Sequence, residues 1–403
     1  MWEQIRDNRI RSAVLVAGMG ILLLLIGFFI GYAFLDDPLI GMIIAIIVWV
    51  IMNLVALLQG DNIILGISGA KKIGPDDHPR LYNVVEEMKI ASGLEKMPDI
   101  YIIDDPALNA FATGRGPDHA AIAVTSGLLN KLNRDELQGV VGHEISHIKN
   151  RDIELMLLAS ILLGSIVMLA WYATRIGIFG GAGGRRTSGR GAGAAEIIIV
   201  VLGLLLLILS PAMAQLIYLA ISRRREYLAD ASSALYTRYP EGLASALEKL
   251  ASNNTKVRTA NKATAPMYIS NPYYMGAAGT GSDLFSTHPP LAERIRILRA
   301  MGGASYKDYE TSYRSVKNES IIGKVTLEQI GNEAVAIRQP SAEPPPSDIL
   351  QKVSAVRETS DLMWRMSSYR LLTCGNCGAG MKLPPAYKEK SVRCPHCGFI
   401  NRI

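Results

Sequence analysis

Two histidines stand four residues apart with a glutamate beside the first, in His143-Glu144-Ile145-Ser146-His147. On a helix, residues four apart share one face, so His143 and His147 can present both imidazoles to a single zinc ion. Glu144 then lies next to the ion without binding it and can take a proton from a metal-activated water. Val140, Val141, Ile145 and Ile148 supply an apolar surface for such a helix, and Asp135-Glu136 suits its start. The pattern recurs by chance in unrelated chains, so its surroundings decide. No Gly-x-x-His follows closely, and a third ligand must come from farther along. The stretch SRRREYLADASSAL, Ser222 to Leu235, has helix-forming character and puts Glu226 and Asp230 on one face. Glu226 can complete the ligand set. Asp230 can accept a hydrogen bond from the distal nitrogen of a ligand histidine.

A second constellation closes the sequence. All four cysteines form two C-x-x-C pairs, Cys374/Cys377 and Cys394/Cys397, and a glycine follows each pair directly. The spacing is that of a zinc ribbon holding one structural ion, with His396 as a spectator inside the second knuckle. Free thiols of this kind persist most easily in a reducing compartment. The chemistry expected of the chain is therefore that of two zinc ions, one catalytic and one structural.

The elements that must position these groups include lipid-soluble ones. The chain of 403 residues is 49% hydrophobic and only 19% charged, with a mean hydropathy of +0.20. Soluble domains carry about 25% charged residues. Four apolar segments explain the shortfall: Ser12 to Phe34, Leu39 to Leu58, Leu155 to Ala173 and Ile197 to Ile221. Each approaches the ~20 residues needed to cross a bilayer core. The first two are joined by Asp36-Asp37-Pro38 and read as a hairpin; the length of the first and the span that follows it argue against a cleaved signal peptide. The last two are joined by a glycine-rich loop, Gly177 to Ala195, and either both cross or form a re-entrant hairpin, so that Glu226 returns to the side of His143. Arg6, Arg9 and Arg11 before the first span set the N-terminus inside, although Arg175, Arg185, Arg186 and Arg190 in the second loop pull the other way. The net charge of +6 comes without a long basic run, and Arg223 to Arg225 read as a snorkelling membrane-edge cluster, so no nucleic-acid partner is expected.

The ordered pair of motifs, His143-Glu144-x-x-His147 and then Glu226-x-x-x-Asp230, resembles the HtpX-type membrane zinc endopeptidases of the M48 metallopeptidase family. The resemblance covers roughly residues 1 to 300. It implies that Asp230 supports His143. It also implies that Asn109 and Ala110 of NAFATG, Asn109 to Gly114, lie on the edge strand of a cleft and contact substrate. In FSTHPPLAERIRIL, Phe285 to Leu298, it places His288 and Arg294 where they can stabilise an oxyanion. Family members cut damaged or misassembled membrane proteins. The remaining upstream histidines, His78 and His119, read as ordinary surface or loop residues.

The expected fold is an α+β zincin-like metalloprotease domain with four transmembrane or membrane-embedded helices and a small C-terminal zinc ribbon. The division runs 1–60 membrane hairpin, 61–154 first catalytic half, 155–221 second membrane hairpin, 222–300 second catalytic half, 301–372 accessory region and 373–403 ribbon. Within the accessory region, Ile321 to Ile337 reads as a short hairpin and Gln339 to Asp348 as a proline-rich linker. The function expected is zinc-dependent hydrolysis of peptide bonds in unfolded or misassembled membrane proteins. The enzyme would be a multi-pass protein of the cell membrane, in contact with lipid, with its catalytic domain and C-terminus cytoplasmic. A CAAX-type prenyl-protein protease would normally need more spans. A zinc-stabilised, non-catalytic membrane adaptor would not need Glu144.

Overall fold

The computed structural model describes residues 2–34, 37–162, 223–253, 255–260, 264–270, 288–329, 335–341, 358–363, 366, 370–383, 387 and 391–402. The fourth apolar segment, the glycine-rich loop, and the third segment beyond residue 162 lie outside them.

The first two apolar segments are long helices, α1 (Trp2–Phe34) and α2 (Pro38–Ile67). Asp37 caps α2 by accepting the Leu39 N–H, and Pro38 opens its first turn. The two helices pack at glycines: a Cβ on Gly41 would lie 2.0 Å from the Gly27 carbonyl oxygen. Small residues at such a crossing let two backbones approach, the usual solution where lipid removes the hydrophobic drive for helix pairing. Elsewhere both helices expose large apolar side chains, among them Ile21, Leu25, Ile43, Ile47 and Leu54. Both are long and apolar enough to cross a membrane.

The catalytic region is a four-stranded mixed sheet with helices against it. Its strands are β1 (Ala70–Lys72), β2 (Asp99–Ile103), β3 (Ala110–Gly114) and β4 (Ala120–Thr125), in the spatial order β1-β2-β4-β3. β2 runs parallel to β4, and β3 runs antiparallel to it, from Ala110 opposite Val124 to Gly114 opposite Ala120. Helices α3 (Pro79–Ser92), α4 (Ser126–Lys131), α5 (Arg134–Lys149) and α6 (152–162) follow in the chain. After the undescribed stretch come α7 (Arg223–Thr237), α8 (Pro240–Ser252), α9 (Leu291–Arg299), α10 (Tyr306–Lys317) and α11 (Lys324–Gln329). One apolar core joins α3, the sheet, α5, α7, α8, α9 and α10. A second, containing Ala56, Ile64, Phe111, Met156 and Tyr268, fastens α2 and α6 to the other face of the sheet.

Three local readings of the sequence change. Lys324–Gln329 is helical where a hairpin was expected. Alternation over six residues is too short to separate the two periods, and Leu, Glu and Gln favour the helix. His78 is buried at the N-terminus of α3, where its ring nitrogens meet the Leu81 N–H and the Thr359 hydroxyl. It therefore anchors the 358–363 helical segment, whose Leu362 and Met363 enter the main core. α2 extends to Ile67, past the boundary at residue 60 expected for the membrane hairpin.

The C-terminal residues form two hairpins, β5 (Arg370–Thr373) with β6 (Gly380–Leu383), and β7 (Ser391–Arg393) with β8 (Ile400–Arg402). Gly378 and Gly398 adopt φ of 70° and 75°, a left-handed turn that glycine enters without a Cβ penalty.

Candidate metal centre

Helix α5 carries the two histidines through the middle of the core. Asn133 and Glu136 close a reciprocal capping box at its start, and every residue from Asp135 to Ile148 is buried. A helix covered on all sides has little freedom to shift, which fixes both imidazoles. Helix α7 packs against it, with the Ser233 hydroxyl donating to the Gly139 carbonyl at 2.7 Å. That contact sets the rotation of α7, so Glu226 and Asp230 face α5.

Three ligand atoms converge. His143 Nε2 and His147 Nε2 are 3.2 Å apart, and each lies 3.6 Å from a different carboxylate oxygen of Glu226. Tetrahedral zinc with its usual bond lengths separates nitrogen and oxygen ligands by about 3.3 Å. Among the described residues, Glu144 Oε1 is buried without a hydrogen-bond partner, as a base awaiting a water would be, and Glu226 Oε2 makes no well-aligned hydrogen bond, as suits a ligand oxygen. The donor set and its dimensions fit zinc.

The distal nitrogens are fixed as well. His143 Nδ1 lies 3.0 Å from Asp230 Oδ1, and His147 Nδ1 lies 2.8 Å from Asp152 Oδ2. Each carboxylate holds a proton on Nδ1 and leaves Nε2 for the metal. Asp152 is a residue that sequence reasoning did not pick out. It arrives through a tight turn in which Arg151 takes φ of 59°, placing a carboxylate at the start of α6 back under His147. The signal available was an Asp five residues after the second histidine, behind the turn-forming Asn150. Asp152 is in turn held by Asn8 of α1, whose amide donates to Oδ1 at 2.6 Å and to the Asn150 carbonyl at 3.1 Å.

Arg294, fully buried, donates to both oxygens of Asp230, at 2.8 Å and 2.7 Å. It also stands beside the ligands themselves, with Nη1 3.8 Å from Glu226 Oε2 and Nη2 3.4 Å from His143 Nδ1. His288 lies nearer, with Nδ1 3.3 Å from Glu226 Oε2. Ala110 opens the edge strand β3 and Asn109 immediately precedes it; both are buried, and the Asn109 amide donates to the Ser270 carbonyl at 3.0 Å.

Electrostatics follow from burial among carboxylates. Desolvation alone would lower His143, yet Asp230 and Glu226 outweigh it and push the imidazole up to about 9. Burial raises the Glu144 carboxyl, opposed by the two histidines. Burial also opposes ionisation of Glu226, but His288, His143 and His147 hold it well below the usual carboxylate range. In the metal-free protein His143 therefore carries a proton at neutral pH, and zinc must displace it. Zinc binding to the histidine site at pH 7, in protein whose cysteine cluster is already loaded, is expected to release about one proton, with affinity rising as pH climbs toward 9. Calorimetry in buffers of different ionisation enthalpy measures this; binding with no proton release would contradict it.

The cysteines form the other cluster. Cys374 Sγ lies 3.6 Å from Cys397 Sγ, and Cys377 Sγ lies 3.7 Å from Cys394 Sγ, with all four thiols free. Tetrahedral zinc thiolates are separated by about 3.8 Å.

The family model described as Peptidase family M48 matches residues 75–302. The Protease HtpX homolog of Dictyoglomus turgidum is 45% identical over 307 residues, covering 75% of this chain and 95% of that protein. The Protease HtpX homolog of Streptococcus uberis is 41% identical over 301 residues, covering 75% of this chain and 100% of that protein. Among solved structures, Ste24p of S. mikatae is similar at 23% identity and a TM-score of 0.40, over 74% of this chain and 67% of that one. The two HtpX homologues are matched over nearly their whole length, and the matched region contains His143, His147 and Glu226. The chain belongs to peptidase family M48 and is a membrane metalloendopeptidase of the HtpX type.

Proposed function

We propose that this endopeptidase uses a catalytic zinc held by His143, His147 and Glu226 to cut extended segments of unfolded or misassembled membrane proteins at the cytoplasmic face of the cell membrane. The observation that carries this reading is the placement of an edge strand, β3, beside Glu144, in a chain with two helices long and apolar enough to cross a membrane. An edge strand binds any extended peptide through its main chain. When bound, zinc supplies a Lewis acid that polarises the scissile carbonyl and acidifies a water. Glu144, with its carboxyl raised by burial, takes the proton and returns it to the leaving amine. His288, beside Glu226, donates to the developing oxyanion. Asp152 and Asp230 are positioning residues that hold the imidazoles, and Arg294 holds Asp230. Asn109 and Ala110 contact the substrate main chain.

The third and fourth apolar segments would complete a second membrane hairpin, leaving the N-terminus, catalytic domain and C-terminus on the cytoplasmic side. The four cysteines would hold a structural zinc, supported by sulfur spacings close to those of zinc thiolates. The test places the enzyme in proteoliposomes with single-span reporters whose juxtamembrane segment is either folded or unfolded. The unfolded reporter is expected to be cut at least about tenfold faster, as binding to an edge strand demands an extended chain. Equal rates would reject unfolded membrane segments as the substrate class.

A further inference from the structure

The edge of the sheet beside the metal centre is already paired. β3 has β4 on one side. On its other side runs a short segment of the same chain, Tyr268 to Ser270, joined to β3 by an isolated antiparallel bridge between Phe111 and Tyr268. The contacts are made to main-chain atoms. The Ile269 N–H donates to the Ala110 carbonyl at 3.0 Å. The Asn109 amide group engages Ser270 at both ends, donating to its carbonyl at 3.0 Å and accepting from its N–H at 3.5 Å. Arg294 Nη1 donates to the Ile269 carbonyl at 3.1 Å, while the rest of its guanidinium holds Asp230. Two side chains of this segment are buried too: Tyr268 packs edge-on against Phe111 with ring centroids 5.1 Å apart, and Ile269 lies in the main core.

Such contacts are those an extended substrate would make. They read N–H and C=O groups, independent of side-chain identity, along the edge of a sheet. They are also made at the right place. Ala112, two residues along β3 from Ala110 and pointing its main chain to the same edge, brings its N–H to the Glu144 carboxyl. Arg294 links the Ile269 carbonyl through Asp230 to His143.

We infer that Tyr268–Ser270 is a built-in substrate mimic, which occupies the peptide track on β3 and is displaced when an unfolded segment binds. This rests on β3 being the substrate strand, as proposed above. Two consequences follow. The resting enzyme is restrained, because a peptide must break the strap's hydrogen bonds to Ala110, Asn109 and Arg294 before it can pair. The strap's own sequence also marks the preferred occupant: an extended segment with an aromatic residue followed by an aliphatic one, fitting the sockets now filled by Tyr268 and Ile269. Folded proteins, which offer no such free strand, would be excluded.

Hydrogen exchange followed by mass spectrometry tests this on the full-length, zinc-loaded Glu144→Gln enzyme, which binds without cutting. The probe is a fluorescent unfolded casein peptide, brought to saturation as judged by anisotropy. The Ile269 and Ser270 amides are expected to exchange at least tenfold faster with peptide bound, while amides of β2 and β4 are unchanged. Unchanged or slower exchange at 269 and 270 under saturation would overturn the inference. Ile269→Pro gives a second readout, because it deletes the donor to Ala110. Its KM for a short peptide is expected to fall several-fold at constant kcat, whereas a lower kcat/KM at unchanged metal content and Tm would count against displacement. Should Ile269→Pro not fold, the exchange experiment still decides, since the strap there is native. Wild-type enzyme that leaves casein uncut would refute the proposed substrate class; cleavage without strap release would refute the mimic alone.

Discussion

Glu144→Gln is expected to lower kcat on an unfolded casein-like substrate by about 10⁴-fold while leaving zinc content unchanged. The size follows from what the residue does and does not touch. Glu144 is buried next to His143 and His147 but bonds neither. Gln keeps its shape and removes its capacity to carry a proton. His288→Ala, which deletes one hydrogen-bond donor and no base, is expected to cost less, about 10²–10³-fold in kcat/KM. Steady-state kinetics with metal analysis on the same samples separates the two. Glu144→Gln turning over at wild-type rate would remove general-base catalysis from the account.

The second large effect is on stability. Arg294→Met is expected to destabilise the protein by about 3–5 kcal/mol, because it leaves Asp230 buried without its counter-charge. Both side chains are fully buried, and two charge-assisted hydrogen bonds join them. Burial opposes ionisation of Asp230, yet Arg294 and His143 hold its carboxyl below the usual range. The stability that this carboxylate contributes is therefore complete above the ordinary carboxylate range and is lost as pH falls through its lowered value. Arg294→Met narrows that margin, so the variant should unfold at higher pH than the wild type during acid titration. The double variant Arg294→Met/Asp230→Leu should recover part of the loss, since a well-packed apolar pair can replace a buried ion pair. Denaturant unfolding of the four members of this cycle measures the coupling. A wild-type Tm for Arg294→Met, with reduced kcat alone, would make the arginine a catalytic group and not a positioning one.

The parts of the site legible in the sequence were those whose spacing is local. His143 and His147 share a helical face by arithmetic, and the same arithmetic joins Glu226 to Asp230. The four cysteines were legible for a similar reason, as each knuckle is a closed local turn. What spacing cannot supply is the rotation of α7 against α5, set by contacts such as Ser233 on the Gly139 carbonyl. Nor can it show that Asp152 folds back under His147 through the left-handed Arg151. The resemblance placed Arg294 at the site, but its pairing with Asp230 was hidden, because spacing does not name a partner 64 residues away. The strap at Tyr268–Ser270 left no mark at all: three residues have no period, and their hydrogen bonds go to a strand more than 150 residues away. The two membrane helices were legible through length and apolarity, while the close crossing at Gly27 and Gly41 needed coordinates.

His143, His147 and Glu226 converge as the ligand set proposed for the catalytic zinc. The most direct test is the zinc stoichiometry of full-length wild type and Glu226→Ala, purified in detergent and measured by elemental analysis beside casein hydrolysis. Two zinc ions are expected per wild-type chain, one of them in the cysteine cluster, and one ion fewer in Glu226→Ala together with loss of hydrolysis. Glu226→Ala that keeps the wild-type zinc content and cleaves casein at the wild-type rate would contradict that ligand set.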